Sequence, residues 1–273
     1  MNIQLLIIDP QNDFCSPNGS LFVPGAEEDM KRLAGFVTRM RDKIDDIHIT
    51  LDSHRKVDIS HPVWWKDRSG KHPDPFTMIL ASELESGRWS TTKPSFHKRS
   101  LQYLKALETG GRYPHTIWPE HCLIGDEGHN VFAELSAAVH NWEERFAQVD
   151  FVTKGSNPWT EHFSAIRAEV PDAADPSTQI NTGLIQTLED ADIVILAGEA
   201  ETHCVLNTVM DIANQFSDSR YVEKLVWLSD ATSPVPDPPG TTVFSDRLKS
   251  DFSTLKAKGM KVATTADFLR EAI

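Results

Sequence analysis

Residues 193–216, IVILAGEAETHCVLNTVMDIANQF, place an apolar run, a short polar loop and an amphipathic segment in direct succession. The run Ile193–Ala197 is short and lacks clean alternation, which is typical of a parallel strand covered on both faces. A helix is predicted from Val205 to Phe216. Cys204 therefore stands beside a helix N-terminus, where the dipole and the exposed N–H groups favour a thiolate and can hold an oxyanion.

Further apolar runs of the same kind alternate with helical patterns along the chain. Strands are predicted over residues 3–8, 46–51, 149–153, 225–228 and 262–265. Helices are predicted over residues 27–41, 100–107, 131–142, 184–188 and 243–258. This alternation implies right-handed crossovers and a doubly wound parallel sheet. The length of 273 residues fits one large α/β domain spanning the whole chain.

One segment, from about residue 62 to residue 118, interrupts this rhythm. It is rich in Pro, Gly, Trp, Ser and charged residues, and a helix over residues 100–107 is predicted within it. A connection this long inside a compact domain is usually functional. We therefore expect an insertion that forms a lid or a wall of a pocket.

Polar residues follow four of the predicted strands at the point where each strand ends. Asp9 follows the first, Asp52 and His54 follow the second, Lys154 follows the third, and the loop that ends in Cys204 follows the fourth. The carboxyl ends of parallel strands lie at one edge of a sheet, and ligands bind beyond that edge. The sequence therefore predicts that these side chains share one crevice.

Asp9, Lys154 and Cys204 form a set that can perform nucleophilic catalysis. A carboxylate can take the proton of a thiol, and a lysine can keep that carboxylate ionised. Each residue also has an ordinary explanation, as a turn-forming Asp, a surface Lys and a small buried Cys. Their predicted convergence favours the catalytic interpretation.

A second set of residues is typical of a metal site. Asp52 and His54 are two positions apart on an extended segment, so their side chains point the same way. His61 follows, and His121 lies in the segment WPEHC, residues 118–122. Aspartate and histidine together suit a divalent metal, zinc first, with iron or manganese as alternatives. Scattered histidines are, however, often only surface or core groups.

The bulk properties restrict the partners. The formal net charge of −13 opposes binding to nucleic acid or to an anionic membrane surface. No apolar run is long enough to span a bilayer, and the N-terminus lacks a basic targeting region, so we expect a cytoplasmic protein. Three cysteines at irregular spacing argue against a disulfide framework. The expected partner is a small molecule, and a homo-oligomer is left open.

These motifs resemble the nicotinamidase/pyrazinamidase branch of the isochorismatase-like cysteine hydrolases. The matching segments occur in the family's order and span roughly residues 3–235. They are IIDPQNDF (7–14), DSH (52–54), WPEHC (118–122), KG (154–155) and GEAETHCV (198–205).

The resemblance implies a three-layer α/β/α sandwich around a six-stranded, mostly parallel sheet. It implies a hydrolase that cleaves a small, nicotinamide-like amide to an acid and ammonia through a cysteine thioester, with Asp9, Lys154 and Cys204 as the triad. It also implies a metal site of Asp52, His54 and His121. His61 is a candidate fourth ligand, at a spacing that departs from the family's patterns.

The same resemblance implies the substrate contacts. Phe14 and Trp118 match residues that sandwich the substrate ring. The amides of Ala200 and Cys204 match an oxyanion hole, and a cis peptide bond is expected before Ala200. Glu199 and His203, in the same loop, are assigned to the substrate and oxyanion region with them.

Three departures from the family pattern lie around the pocket and leave the substrate open. The stretch from His61 to Trp118 is longer than usual, Ser53 replaces the usual Trp, and Glu201-Thr202 replaces the usual Thr-Asp. The alternatives are a hydrolase of the same fold for another small amide, ureide or carbamoyl compound, and a non-catalytic binding protein of this fold. A metallohydrolase that uses Asp52, His54 and His121 alone is a further alternative. Isochorismatase itself is disfavoured because that branch lacks the catalytic cysteine.

Overall fold

The structure, a computed structural model, describes residues 1–110, 112–238 and 240–269. Within these ranges the chain forms eight β-strands and eight α-helices. The strands are β1 (Ile3–Ile8), β2 (Asp46–Asp52), β3 (Trp65–Asp67), β4 (Trp89–Thr91), β5 (Asp150–Lys154), β6 (Ile193–Gly198), β7 (Leu225–Leu228) and β8 (Lys261–Ala263). The helices are α1 (Asn12–Cys15), α2 (Ala26–Met40), α3 (Ala81–Glu85), α4 (His97–Gly110), α5 (Ala133–Glu143), α6 (Thr182–Asp190), α7 (Leu206–Gln215) and α8 (Val243–Ala257).

Six of the strands form one parallel sheet in the order β5-β2-β1-β6-β7-β8. The direction in which strands are added reverses between β1 and β6, and a doubly wound sheet opens its ligand crevice at such a point. The register pairs Ile8 with Gly198 and Asp52 with Lys154, so the strand ends are level. The predicted α/β fold class is confirmed, with a sheet that is wholly rather than mostly parallel.

Helices cover both faces of the sheet at its central strands, which explains why those strands are continuously apolar. In β1, Leu5 and Ile7 pack in one core with α2 and α5. Leu6 and Ile8 point to the other face and pack in a second core with α6, α7 and α8. Because β1 is buried on both faces, its sequence shows no alternation of polar and apolar residues. The edge strands β5 and β8 were predicted to be buried on both faces but are mostly exposed, because each has a neighbouring strand on one side only.

The helix after β6 begins earlier than predicted. A π-helical turn over Glu201–Val205 leads directly into α7, and the Val205 amide donates to the Ala200 carbonyl at 3.2 Å. Cys204 therefore lies inside the first helical turns, whereas the sequence placed it just before the helix. The peptide bond between Glu199 and Ala200 is cis, as the family resemblance implied.

A glycine lets the loop after β6 lie against β1. Gly198 has a φ of 116°, and a Cβ atom there would lie 2.0 Å from the Ile8 carbonyl oxygen. The close approach allows the Glu199 amide to donate to that oxygen at 2.7 Å. The loop that carries Cys204 is thereby tied to the end of β1, which carries Asp9.

The long connection between β2 and β5 has its own small core. It contains the antiparallel pair β3–β4, helix α3 and helix α4. Trp64, Trp65, Leu104 and Ile117 are buried in an apolar cluster of this segment. Helix α4 is longer than the predicted helix over residues 100–107, whereas β3, β4 and α3 were not predicted because elements of three to five residues show no usable periodicity.

Among the helices in the described part of the chain, none is long and apolar enough to cross a bilayer. Cys15, Cys122 and Cys204 are free and buried.

Candidate active site and metal centre

The buried ammonium group of Lys154 joins the ends of three strands. Its Nζ lies 2.9 Å from Asp9 Oδ2 and 3.7 Å from Cys204 Sγ. The same ammonium group lies beside both the Asp9 carboxylate and the Cys204 thiol. The structure thus brings together the three side chains that the sequence placed at strand ends, and it does so inside the protein.

The Asp9 carboxylate is held from the neighbouring strand. Thr50, in β2, donates its hydroxyl to Asp9 Oδ1 at 2.5 Å and accepts the Asp9 amide at 3.0 Å. Asp9 itself has a φ of 43°, the left-handed conformation that ends β1. Thr50 was not predicted as part of the site, because a threonine inside a strand shows no special pattern.

Burial and charge together determine the protonation of these groups. Burial raises the pKa of the Cys204 thiol well above its ordinary value; Lys154 opposes this shift, and the Asp9 charge adds to it. Burial alone would lower the pKa of Lys154, but Asp52 and Asp9 raise it well above its usual range. Burial therefore favours the neutral thiol and acts against the thiolate that the position near a helix N-terminus favours.

A cluster of metal-type ligands lies beside this group. Asp52 Oδ2 is 3.1 Å from His54 Nε2 and 3.5 Å from His121 Nε2, and one ligand atom of each of the three residues lies within 4.8 Å of the others. The remaining ring nitrogens are already bonded: His54 Nδ1 lies 3.2 Å from Asp58 and His121 Nδ1 lies 2.8 Å from the Pro119 carbonyl. Bonding of one nitrogen while the other faces a common centre is the arrangement of metal-binding histidines.

His61, the fourth predicted ligand, is not a member of this group of three, but its ring lies beside it. Its Nδ1 lies 3.3 Å from the Lys56 carbonyl. Its Nε2 is buried and has no hydrogen-bond partner among the residues described by the structure. The ring centroid lies 5.2 Å from that of His54 and 5.5 Å from that of His121. A buried nitrogen without a partner is unfavourable in an apolar core. Beside two imidazoles and a carboxylate, it is suited to bind a divalent metal.

A small pocket of about 30 Å³ opens over the thiol. Of the predicted substrate residues, it is lined by Phe14, Trp118, Ala200 and His203, together with Cys204. The Phe14 ring lies against the metal-type cluster, 5.5 Å from the centroid of His121. The pocket thus connects the sulfur to the histidine cluster through mostly apolar walls.

Glu199 lies outside the lining of this pocket. Its side chain is fully buried behind the loop, and its Oε2 accepts the Ser233 amide at 3.1 Å. The assignment of Glu199 to the substrate region therefore has no support from the pocket lining, whereas Ala200 does line the pocket.

His203 is a neutral imidazole in an aromatic cage. Its ring centroid lies 4.7 Å from that of Tyr113 and 4.5 Å from that of Phe244. Burial, aided by the charge of Arg247, lowers the pKa of His203 to about 3. Its Nε2 is buried and, among the described residues, unpartnered, so it offers a polar group to the pocket.

The lining also contains residues that sequence reasoning missed, notably Glu161, Phe163 and Val235. Glu161 is buried, and its Oε2 accepts the Trp118 indole N–H at 3.1 Å. Burial raises the pKa of Glu161 to about 8. The sequence does place Glu161 in the loop that follows Lys154. Because that loop has no regular pattern of apolar residues, the sequence does not predict which way the Glu161 side chain points.

Two curated relatives are similar to this chain in sequence. The nicotinamidase of Escherichia coli (strain K12) is 28% identical over 214 residues, which cover 76% of this chain and 74% of that protein. The nicotinamidase of Saccharomyces cerevisiae (strain ATCC 204508 / S288c) is 26% identical over 240 residues, which cover 86% of this chain and 89% of that protein. No protein-family model matches the chain.

Solved structures show the same fold. The Acinetobacter baumanii nicotinamidase/pyrazinamidase superposes with a TM-score of 0.63 at 22% identity, covering 98% of both chains. The Pyrococcus horikoshii pyrazinamidase in complex with zinc superposes with a TM-score of 0.55 at 18% identity, covering 97% of this chain and 99% of that one. The fold is thus the one that these nicotinamidase and pyrazinamidase structures share. The chain therefore resembles the nicotinamidase/pyrazinamidase branch, as its motifs indicated.

Proposed function

We propose that this chain is a cysteine-dependent amidohydrolase that cleaves a small, nicotinamide-like amide to a carboxylic acid and ammonia. The observation that carries the proposal is the position of Lys154, whose buried ammonium lies 2.9 Å from Asp9 and 3.7 Å from the sulfur of Cys204. An acid, a cation and a thiol buried together have a large desolvation cost, which is typical of a functional site.

In the proposed reaction, Asp9 takes the proton of Cys204 as the sulfur attacks the amide carbon. Burial raises the pKa of Asp9, and the Lys154 charge opposes that shift, so Lys154 favours the ionised carboxylate before this step. Asp9 then gives the proton to the leaving nitrogen, the C–N bond breaks, and ammonia departs from a thioester. Asp9 next takes a proton from water, whose oxygen attacks the thioester. The acid is released, and the proton returns to the sulfur.

The negative charge on the carbonyl oxygen requires hydrogen-bond donors. The Ala200 amide makes no hydrogen bond to any residue in the described ranges, so it is free to donate, and the Cys204 amide lies in the first helical turns. One such donor contributes roughly 3–4 kcal/mol to stabilising the transition state. We assign both amides to the oxyanion hole.

The walls of the pocket suit a flat ring. Phe14 and Trp118 line it, and we assign them to the two faces of the ring. The insertion over residues 62–118 ends in Trp118, so we propose that this insertion supplies part of the pocket. The neutral His203 offers one polar contact.

Asp52, His54 and His121, with His61 as a fourth ligand, would hold a divalent metal. We propose zinc, and iron or manganese suit the same donors. The donor set and the buried, unpartnered Nε2 of His61 support this site. A bound ion would act as a Lewis acid beside the pocket and orient a ring nitrogen of the substrate.

Ammonia release from nicotinamide, pyrazinamide, maleamate and ureides, measured on the purified protein, tests the proposal. Cys204→Ala should lower kcat for the best amide by about a thousandfold or more, because no other nucleophile replaces the sulfur. Cys15→Ala is the matched control, since Cys15 is also a buried free thiol but lies in the apolar core. It should retain turnover within a few-fold.

Near-normal hydrolysis by Cys204→Ala would refute the cysteine mechanism and favour a metallohydrolase. A wild-type protein that releases ammonia from none of these compounds would refute the amidohydrolase assignment.

A further inference from the structure

A second cavity, which we call the outer cavity, adjoins the catalytic pocket. Its volume is about 370 Å³. Leu21, Val23 and Val235 line both cavities, so the two spaces share a wall of three residues. The outer cavity therefore lies directly beside the pocket that contains Cys204.

The outer cavity has an apolar surface. Phe22, Phe76 and Phe244 contribute aromatic rings to it. Of the described residues that line it, Asp237 is the one that carries a charge. The Asp237 carboxylate is already engaged, because it accepts the Phe244 amide at 2.7 Å and the Ser245 amide at 3.3 Å at the start of α8. Among the described residues, no lysine or arginine lines the outer cavity, so it has no cationic group for a phosphate.

Phe76 extends the aromatic wall of the catalytic pocket towards solvent. Its ring stands perpendicular to that of Trp118, at 88°, with centroids 5.9 Å apart. Its amide donates to the Ile117 carbonyl at 2.5 Å, which anchors the residue beside Trp118. Its side chain nevertheless remains 51% exposed. A large exposed aromatic at the rim of an apolar cavity indicates a surface that a ligand would cover.

We propose that the outer cavity is a second substrate subsite. It takes an alkyl or aryl substituent carried on the ring of the aromatic amide whose carboxamide is cleaved at Cys204. The placement of a carboxamide at the Cys204 sulfur rests on the proposed function. Binding of the apolar substituent in the outer cavity can be measured without turnover. Each methylene buried there should tighten binding about fourfold. The enzyme would therefore prefer a substituted aromatic amide to nicotinamide itself.

The probes are nicotinamide, its 5-butyl and 6-butyl derivatives, and the two hydroxypropyl derivatives of matching length. Dissociation constants are measured by calorimetry, and kcat/KM by ammonia release, on the metal-loaded full-length protein. At least one butyl compound should bind about tenfold or more tightly than nicotinamide and show a higher kcat/KM. Its hydroxypropyl counterpart should lose most of that gain, because the walls of the cavity are mostly apolar and the hydroxyl group gives up its hydration there.

Two variants place the effect in the outer cavity. Phe76→Ala should reduce the ratio of butyl to nicotinamide affinity by about fivefold or more. Phe146→Ala is the matched control, because it removes the same kind of side chain from a residue that is 103% exposed. The backbone is also similar, with a φ of 63° at Phe146 and 67° at Phe76. Phe146 precedes β5, at the opposite end of the sheet from the pocket, so its variant should keep the wild-type ratio.

Wild-type protein that hydrolyses nicotinamide but gains nothing from either butyl group would overturn the subsite. A gain that survives Phe76→Ala unchanged would overturn it as well. Protein that hydrolyses no amide, but binds a butyl compound more tightly in a Phe76-dependent way, would support the subsite and refute the proposed function.

Discussion

Asp52 and Lys154 are register partners in the neighbouring strands β2 and β5, and their side chains form an ion pair of 3.1 Å. Through the same ammonium group Lys154 also contacts Asp9, and through its other carboxylate oxygen Asp52 faces His54. One buried cation is therefore shared by two carboxylates. The proposed nucleophilic site and the proposed metal site form a single charge network, so a change in either should affect the other.

Removal of the Lys154 charge should destabilise the fold as well as stop catalysis. Lys154→Met leaves Asp9 and Asp52 buried without their cation, and breaking such a pair costs roughly 3–5 kcal/mol. The free energy of unfolding, measured by urea denaturation of the metal-free protein, should fall by about that amount. Asp9→Asn added to Lys154→Met should restore part of the loss. Strictly additive effects of the two substitutions would contradict the shared network.

The role of His61 can be separated from that of an ordinary buried histidine. His61→Asn should weaken metal retention about tenfold or more in competition with a chelator, because the proposed site loses one ligand. His48→Asn is the control. His48 is also buried, its Nδ1 lies 2.9 Å from Asp150, and its Nε2 has no partner among the described residues. It lies earlier in β2 than Asp52, the residue that ends that strand. Equal metal content in the two variants would exclude His61 as a ligand.

Glu161 should make stability depend on pH. Its pKa is raised to about 8 by burial, so the folded protein holds a proton that the unfolded chain releases near pH 4.5. The stabilisation is complete below that lower value and is lost as the pH rises towards 8. Between these limits the free energy of unfolding should fall by up to about 1.4 kcal/mol per pH unit.

Glu161→Gln removes this proton, and urea denaturation of metal-free protein at several pH values should then show a flatter profile. Glu134→Gln, at an exposed position in α5, should keep the wild-type slope. Equal slopes in the wild type and Glu161→Gln would show that Glu161 does not titrate in this range.

The contact between Gly198 and β1 is a strict steric requirement. Gly198→Ala places a Cβ 2.0 Å from the Ile8 carbonyl at a φ of 116°, so β1 and β6 would have to separate. We expect loss of more than about 4 kcal/mol of stability, or failure to fold. Gly35→Ala, in helix α2 with nothing within 4 Å of the added carbon, should instead be neutral or stabilising by up to about 1 kcal/mol. Equal thermal midpoints in the two variants would contradict this account.

The fold and the positions of the main site residues could be predicted because they depend on strand order. Asp9, Lys154 and Cys204 follow apolar strands, and parallel strands bring their carboxyl ends to one edge whatever the loops do. Contributions from irregular segments could not be predicted in this way. Glu161 and Phe163 lie in a loop without periodicity, so the sequence carries no information on which way they point.

The prediction for Cys204 shows a second limit of sequence reasoning. A position near a helix N-terminus favours the thiolate, but the degree of burial depends on packing that is visible only in three dimensions. In the folded protein, burial acts against this effect and favours the neutral thiol. The need for Asp9 as a base follows from this.

Mass spectrometry of the protein quenched in acid during turnover tests the central claim most directly. With nicotinamide, or with the best amide found, the account predicts a mass increase of one acyl group, located on the peptide that contains Cys204. Asp9→Asn and Cys204→Ala should show no such adduct. An enzyme that turns over the amide at full rate without an acyl group on Cys204, or with the acyl group on another residue, would contradict the account.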